Sequence, residues 1–165
     1  MGRQTASLNT AMEQLMKLLH SLVRIGLVTI ASLASAADGL VEVKSPYRSI
    51  ETMNRLEAVV KHFGLAVFAR IDHAAGAAKV GKTLRATELL IFGSPQGGTP
   101  FMECAKTAGI DLRLKALVWV DRASQVWLGY NDPAFLAKRH SAALCPAAKA
   151  LRKARAGLAD AAVGR

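Results

Sequence analysis

The spacing of apolar positions along the chain predicts alternating strands and helices. Alternation of apolar and polar residues predicts a strand at 40–44, and apolar residues at helical spacing predict a helix that Ser49 caps and Gly64 ends. Further apolar runs bounded by turn residues predict four more strands, at 65–71, 86–92, 114–120 and 125–130. The remaining segments predict three more helices, at 73–80, 101–108 and 133–143. The order β-α-β-α-β-α-β-β-α indicates an α+β fold, a single-sheet two-layer sandwich with helices on one face.

The last two predicted strands are close enough in sequence to form an antiparallel hairpin. Four residues, from Asp121 to Ser124, connect them. With the loop centred on Ala123, Trp119 faces Trp127 across the strand pair, and such a pair stabilises a sheet by up to about 1 kcal/mol. We interpret both tryptophans as packing residues rather than as a platform on which bases stack.

Positive charge is concentrated towards the C-terminus. The chain has 165 residues and a formal net charge of +10, and residues 138–165 contain seven basic residues and one acidic residue. Residues 1–36 contain three basic residues and one acidic residue, which leaves residues 37–137 with a net charge of +2. A body so close to neutral argues against nucleic acid as a partner. Residues 146–165 are rich in Ala, Lys and Arg and have almost no large apolar side chains, so we predict a mobile basic tail there.

The first 36 residues have the layout of a secretory signal peptide. A short basic segment ends at Arg24, an apolar run follows, and Ala34-Ser-Ala36 supplies the small residues that a signal peptidase requires. The uncharged run is shorter than the about 20 residues of a membrane span. We expect cleavage after Ala36, a mature α+β domain at 37–145, and a periplasmic or secreted protein with no stable membrane span. Met16 is an alternative start, and a buried or amphipathic N-terminal helix is the other interpretation.

The two cysteines, Cys104 and Cys145, leave two interpretations open. In an oxidising compartment they could form one disulfide. Alternatively, Cys104 is a small core residue and Cys145, beside Pro146, is a loop thiol. Their spacing matches no metal-binding signature.

One predicted strand ends in three titratable residues, Arg70, Asp72 and His73. Asp72 stands where it can cap the following helix, and Arg70 is suited to pair with a carboxylate on the sheet. A neutral imidazole at a helix start is available as a general base or a metal ligand, so His73 is the catalytic candidate. The alternative is a histidine with only a structural hydrogen bond at a strand–helix junction.

His140 in the last predicted helix is the second histidine candidate. If it converged with His73, the two rings and a carboxylate of Asp132, Glu88 or Glu103 would suit a transition metal or a haem-type ligand set. No spacing in the sequence requires this arrangement, and a solvated helix face is the alternative.

A glycine-rich segment precedes the predicted helix at 101–108. Free N–H groups at a helix start with little side-chain bulk can bind an anion, whereas a tight turn is the structural alternative. We expect Thr99 and Pro100 to begin the helix. Tyr130 and Asn131, at the end of the last strand, are either outer ligand-binding residues or turn formers. The ligand-binding candidates in these two places are Gly93, Ser94, Gly97, Gly98, Thr99, Tyr130 and Asn131.

Four short blocks in this order carry a resemblance to a known family. They are Ala69-Arg-Ile-Asp-His73, Phe92-Gly-Ser-Pro95, Gly98-Thr-Pro-Phe-Met102 and Tyr130-Asn-Asp-Pro133 with Arg139-His140. Together they resemble the family called domain of unknown function 302, over roughly residues 40–143. The family pattern usually has Asn at Ser94 and Pro at Arg113. The resemblance implies a small α+β domain, often exported or attached to other modules, and assigns no activity.

Three hypotheses for function follow. The first is an exported binding or accessory domain for a small anion, a metal or a cofactor, with Arg70, Asp72, His73 and the segment 93–99 lining one cleft, and Tyr130 and His140 at its edge. The second is an enzyme that uses His73 as general base and the same segment to hold an anion. The third is a structural module that binds a partner, and a homodimer is compatible with the sequence.

Overall fold

The computed structural model describes residues 39–165. The predicted signal peptide lies outside the described residues. The strands are β1 (Leu40–Ser45), β2 (Ala66–Asp72), β3 (Thr87–Gly93), β4 (Leu114–Val120) and β5 (Val126–Asn131). The helices are α1 (Ser49–His62), α2 (His73–Lys79), α3 (Pro95–Cys104), α4 (Pro133–Arg139) and α5 (Pro146–Val163), with a 3-10 helix at Lys106–Ile110. The predicted α+β class is confirmed, and so is the predicted order of elements as far as α4. Helix α5 was not predicted.

All five strands form one antiparallel sheet in the order β1-β5-β4-β3-β2. The predicted hairpin of β4 and β5 is confirmed, with Trp119 directly opposite Trp127. The two indole rings are stacked with their centroids 6.4 Å apart. Trp127 also donates its indole N–H to the Asp121 carboxylate at 2.9 Å, which ties the strand to the hairpin loop.

One face of the sheet forms the main core. Alternate residues of β3, β4 and β5 point to this face and are buried, as period-2 patterning requires. Helices α1 and α5 cover it, because their apolar residues belong to the same buried cluster as the strands. The cluster includes Met53, Leu56, Val60, Leu90, Phe92, Ala116, Val118, Leu128, Leu158 and Ala162.

The predicted mobile tail at 146–165 is wrong, because these residues form the 18-residue helix α5. Pro146 occupies the first turn, where its missing N–H costs no hydrogen bond, and Gly164 ends the helix in a left-handed conformation with φ 78°. Leu158, Ala159 and Ala162 are buried in the core. Small alanine side chains let the helix lie close to the sheet, so the scarcity of large apolar residues does not prevent docking.

The docking of α5 predicts a large effect of shortening Leu158. Leu158→Ala should lower the free energy of unfolding by about 2–5 kcal/mol, because it leaves a cavity at a buried site. The exposed residue Lys153 on the same helix offers a control, and Lys153→Ala should change stability by no more than about 0.5 kcal/mol. Urea unfolding followed by circular dichroism measures both. Equal midpoints for the two variants would show that α5 does not contribute to the core.

Candidate functional site

A cavity of about 450 Å³ opens between α3, α5 and the strand ends. The segment 93–99 forms one wall, and Leu151, Ala154 and Leu158 of α5 form another. Its lining is mostly apolar. The remaining lining residues are Leu65, Phe68, Met102, Gly109, Leu112, Arg113 and Leu114. The predicted glycine-rich segment therefore does border a cavity large enough for a small ligand.

Helix α3 begins inside the glycine-rich segment at Pro95, five residues before Pro100, the predicted first helical residue. Ser94 is the cap, and its Oγ accepts a hydrogen bond from the N–H of Gly97 at 3.2 Å. Gly93 has φ 154°, a conformation that side chains disfavour, and it turns the chain from β3 into α3. The cavity wall is thus the first turn of a ten-residue helix, whose N-terminus carries partial positive charge.

Arg113 is the only charged residue among those that line the cavity in the described part of the chain. Its guanidinium carbon lies 3.3 Å from the centroid of the Phe68 ring. Both side chains are exposed, so this cation–π pair stands where the cavity meets solvent. Arg113 follows Leu112 through a cis peptide bond, at the position where the family pattern usually has proline.

The charged end of β2 lies away from this cavity. In the antiparallel register, Ala66 pairs with Gly93 and Asp72 pairs with Glu88. The six steps from Ala66 to Asp72 span about 20 Å, so His73 and the segment 93–99 are at opposite ends of the strand pair. His73 is exposed to solvent. The single cleft expected for these residues is therefore not formed.

Arg70 and Asp72 have structural partners at this end of β2. Arg70 donates from Nε and Nη2 to the Glu88 carboxylate, and from Nη1 to Glu57 at 3.1 Å and Asn54 at 2.7 Å. Asp72 caps α2 as predicted, since its carboxylate accepts a hydrogen bond from the N–H of Ala75 at 2.9 Å.

Electrostatic pairing shifts two pKa values in this cluster. The hydrogen bond to Glu88 raises the pKa of Arg70 above its usual range, so the guanidinium stays charged. The hydrogen bond from Lys61, and then that from Arg70, lower the pKa of Glu57. These pairs join β2, β3 and α1, so the predicted carboxylate partner of Arg70 exists and has a structural role.

His140 also has local partners. Its Nε2 lies 2.6 Å from Oδ2 of Asp111, and its Nδ1 lies 3.0 Å from Oγ1 of Thr107. The side chain is 6% exposed, and the contacts hold the end of α4 against the 3-10 helix. Among residues 39–165, no group of three or more His, Cys, Asp or Glu side chains is arranged to hold a metal ion. The convergence of His73 and His140 on a metal is therefore not seen in this part of the chain.

Tyr130 and Asn131 lie against α5 instead of the large cavity. The backbone carbonyl of Asn131 accepts a hydrogen bond from Nη1 of Arg155, and the Arg155 guanidinium lies 6.0 Å from the Tyr130 ring centroid. Burial raises the pKa of Tyr130. Sequence reasoning missed Arg155, because a basic residue within a basic segment gives no sign of being buried.

A disulfide joins Cys104 to Cys145, with their Cα atoms 6.1 Å apart. The interpretation of two separate thiols is wrong, and so is its assignment of burial, because Cys104 is exposed and Cys145 is buried. The bond links the last residue of α3 to the residue before α5. It therefore connects two helices that both contribute to the wall of the large cavity.

These features define the class of protein, a small α+β sandwich with an open cavity beside one end of its sheet. The chain belongs to the family described as "Domain of unknown function DUF302", whose model matches residues 41–161. The crystal structure of an uncharacterized conserved DUF302 protein from Bacillus stearothermophilus has the same fold. Its TM-score is 0.69 at 21% identity, and the match covers 76% of this chain and 99% of that chain.

Three relatives are longer proteins that are named as fluoride-specific ion channels. Fluoride-specific ion channel FluC 1 of Brucella suis is 50% identical over 113 residues, which are 68% of this chain and 44% of that protein. The proteins named FluC 1 in Brucella abortus and FluC 2 in Brucella melitensis match equally well, over 42% of their length. The chain thus spans less than half the length of these relatives. Within residues 39–165 no helix is long and apolar enough to cross a membrane.

The disulfide predicts a redox-dependent stability. Cys104→Ser with Cys145→Ser should lower the free energy of unfolding by about 2–4 kcal/mol, because the bond restricts the unfolded chain across a sequence separation of 41 residues. Urea midpoints with and without dithiothreitol measure this change. Reductant should lower the urea midpoint of the wild type to that of the double variant, and it should leave the midpoint of the variant unchanged. An equal midpoint for oxidised and reduced wild type would contradict the prediction.

Proposed function

We propose that this domain binds a small, mostly apolar molecule with one anionic group in the cavity between α3 and α5. The observation that carries the proposal is the cavity itself, whose volume of about 450 Å³ lies within the usual range for small-molecule sites. Its apolar lining favours a hydrocarbon or aromatic body. The Arg113 guanidinium and the N-terminus of α3 favour an anionic end.

Binding is favoured over catalysis by the side chains around this cavity. The lining residues of the described chain include no His, Cys, Asp, Glu, Lys or Tyr that could act as base or nucleophile. Ser94 and Thr99 line the cavity, but the Ser94 hydroxyl already caps α3, and no lining residue is a base that could activate Thr99. His73 lies at the far end of β2, so a mechanism with His73 as base and the segment 93–99 as anion holder is not supported.

We also infer that the domain works in the periplasm or outside the cell. The disulfide supports this location, because such bonds persist in oxidising compartments. The signal-like pattern of the first 36 residues agrees with it, although that segment is outside the described residues.

A second candidate is an accessory role beside a fluoride-specific ion channel. It is favoured by one observation, the 50% identity to a segment of three proteins named as fluoride-specific ion channels. In this case the domain would act on a channel made by another part of the protein or by another chain.

The ligand proposal predicts that decanoate binds in the cavity. Ala154→Phe should abolish binding measured by calorimetry, because the new ring fills the cavity, whereas Ala156→Phe on the exposed side of the same helix should not. Arg113→Gln should weaken decanoate binding about tenfold, or about 1.4 kcal/mol, and leave decanol binding unchanged. Failure of both ligands to bind the wild type, or equal effects of the two Phe variants, would contradict the proposal.

The accessory candidate predicts a growth phenotype. Deletion of the gene should make the host cell more sensitive to added fluoride, and a plasmid copy should restore resistance. Growth curves over a fluoride series measure this effect, with sodium chloride at equal concentration as the control. Unchanged fluoride tolerance would exclude this role and leave the ligand-binding proposal untouched.

A further inference from the structure

The sheet has a second apolar face, opposite the one that α1 and α5 cover. Side chains alternate between the two faces of a strand, so the residues next to the core residues Leu90 and Val118 point to this second face. We call it the outer face, and its large apolar residues include Ile71, Leu89, Ile91, Leu117, Trp119 and Trp127. All six are at least partly exposed, and none belongs to or packs against either buried cluster of the described residues.

The sequence of β3 and β4 favours a covered outer face. An antiparallel sheet with one face in water carries polar residues on that face. Residues 89–92 of β3 and 116–120 of β4 are instead unbroken apolar runs. Such runs are typical of strands that are buried on both faces. We therefore expect a further layer of protein against the outer face.

The two tryptophans give the outer face a broad aromatic surface. A Cβ on Gly129 would lie 2.7 Å from a ring atom of Trp119, so this indole lies directly on β5, where the glycine leaves room for it. The Trp127 ring is inclined by 15° to that of Trp119. A small ligand requires a concave site, whereas a broad and shallow apolar surface of this kind fits another sheet.

The outer face is large enough to pair with a second copy of itself. The sheet has five strands, which at a spacing of about 4.8 Å and a length of about 20 Å give a face of about 500 Å². Two such faces in contact bury about 1,000 Å² in total, the size at which specific protein interfaces begin. A homodimer therefore needs no surface beyond the outer face.

The charged strand residues of the outer face have both signs. The strand register places Glu42, Lys44 and Lys115 on this face. Glu42 would oppose the phosphates of a membrane or of a nucleic acid. In a two-fold dimer, by contrast, Lys44 of each copy can pair with Glu42 of the other, while the apolar residues of the central strands meet in the middle. Charge complementarity thus favours a second copy of this chain as the partner.

We propose that the outer face is the interface of a homodimer, in which two copies pack their sheets face to face about a two-fold axis. Facing sheets lie about 10 Å apart with interdigitated side chains, so the apolar residues of both outer faces become buried. The large cavity borders α5, which covers the opposite face of the sheet. The dimer therefore forms whether or not a ligand binds beside α3.

The test uses the two tryptophans as reporters. The chain has two tryptophans and both are on the outer face, so their fluorescence reports on this interface directly. Sedimentation equilibrium and the emission maximum of the full chain are measured over a dilution series. Leu117→Lys places a charge at the centre of the outer face. Leu144→Lys makes the same substitution at a side chain that is 95% exposed in the segment before α5, and it is the matched control.

The wild type and Leu144→Lys should be dimers that dissociate on dilution, with a dissociation constant on the order of micromolar. Their tryptophan emission should move to longer wavelength over the same concentration range, because water reaches the indoles. Leu117→Lys should raise the dissociation constant by about a hundredfold or more, since two like charges would face each other. Circular dichroism checks that this variant is folded, and the dilution series of the wild type keeps the test decisive if it is not.

Three results would overturn the proposal. A wild type that is monomeric at every concentration would mean that another segment or another protein covers the outer face. Dissociation without a change in tryptophan emission would mean that the dimer forms through a different surface. Dimerisation of folded Leu117→Lys with the affinity of the wild type would lead to the same conclusion.

Discussion

Helix α5 packs its apolar side against the sheet and against α1, and the rest of the domain is arranged around this contact. A five-stranded sheet is too wide for α1 alone to cover, so its buried face requires a second helix. Arg55 of α1 fixes the contact by donating from Nε to the Ala162 carbonyl at 2.9 Å. At the end of α5, a side chain on Gly164 would come within 2.8 Å of the Tyr47 hydroxyl, so glycine both ends the helix and permits this approach.

The antiparallel register of β2 and β3 separates structural charge from the cavity. At one end, Arg70 links Glu88 and Glu57 and so joins the sheet edge to α1. At the other end, Gly93 and α3 open onto the large cavity. The two ends are about 20 Å apart, so chemistry at His73 could not act on a ligand beside α3. The charged residues at the end of β2 thus stabilise the sheet edge. The large cavity, in contrast, is lined mostly by uncharged residues.

Local patterns were enough to predict the strands, the Trp119–Trp127 pair and the Asp72 cap, because each depends on residues within one hairpin or one helical turn. The cavity could not be predicted, because it is formed by segments that are distant in sequence. Helix α5 was missed for a different reason. Three of the six buried residues of the helix are alanine, which contributes little to hydrophobicity but allows close packing. The five Lys and Arg residues among 146–165 instead favoured a solvated basic tail. Burial of Arg155 follows from that helix, so it was missed as well.

Two cations near the same helix face different constraints. Arg113 is exposed, and its contact with Phe68 leaves the guanidinium at the edge of a wide apolar cavity, where an anionic group can reach it while the rest of the ligand stays inside. Arg155 is buried beneath α5, where its Nη1 donates to the backbone carbonyl of Asn131 at the end of β5. The first arrangement leaves a charge within reach of a ligand, whereas the second uses a charge to join α5 to the end of β5. An apolar residue at position 155 would remove the cost of desolvating a charge, so the arginine stabilises the core only when its charge is balanced.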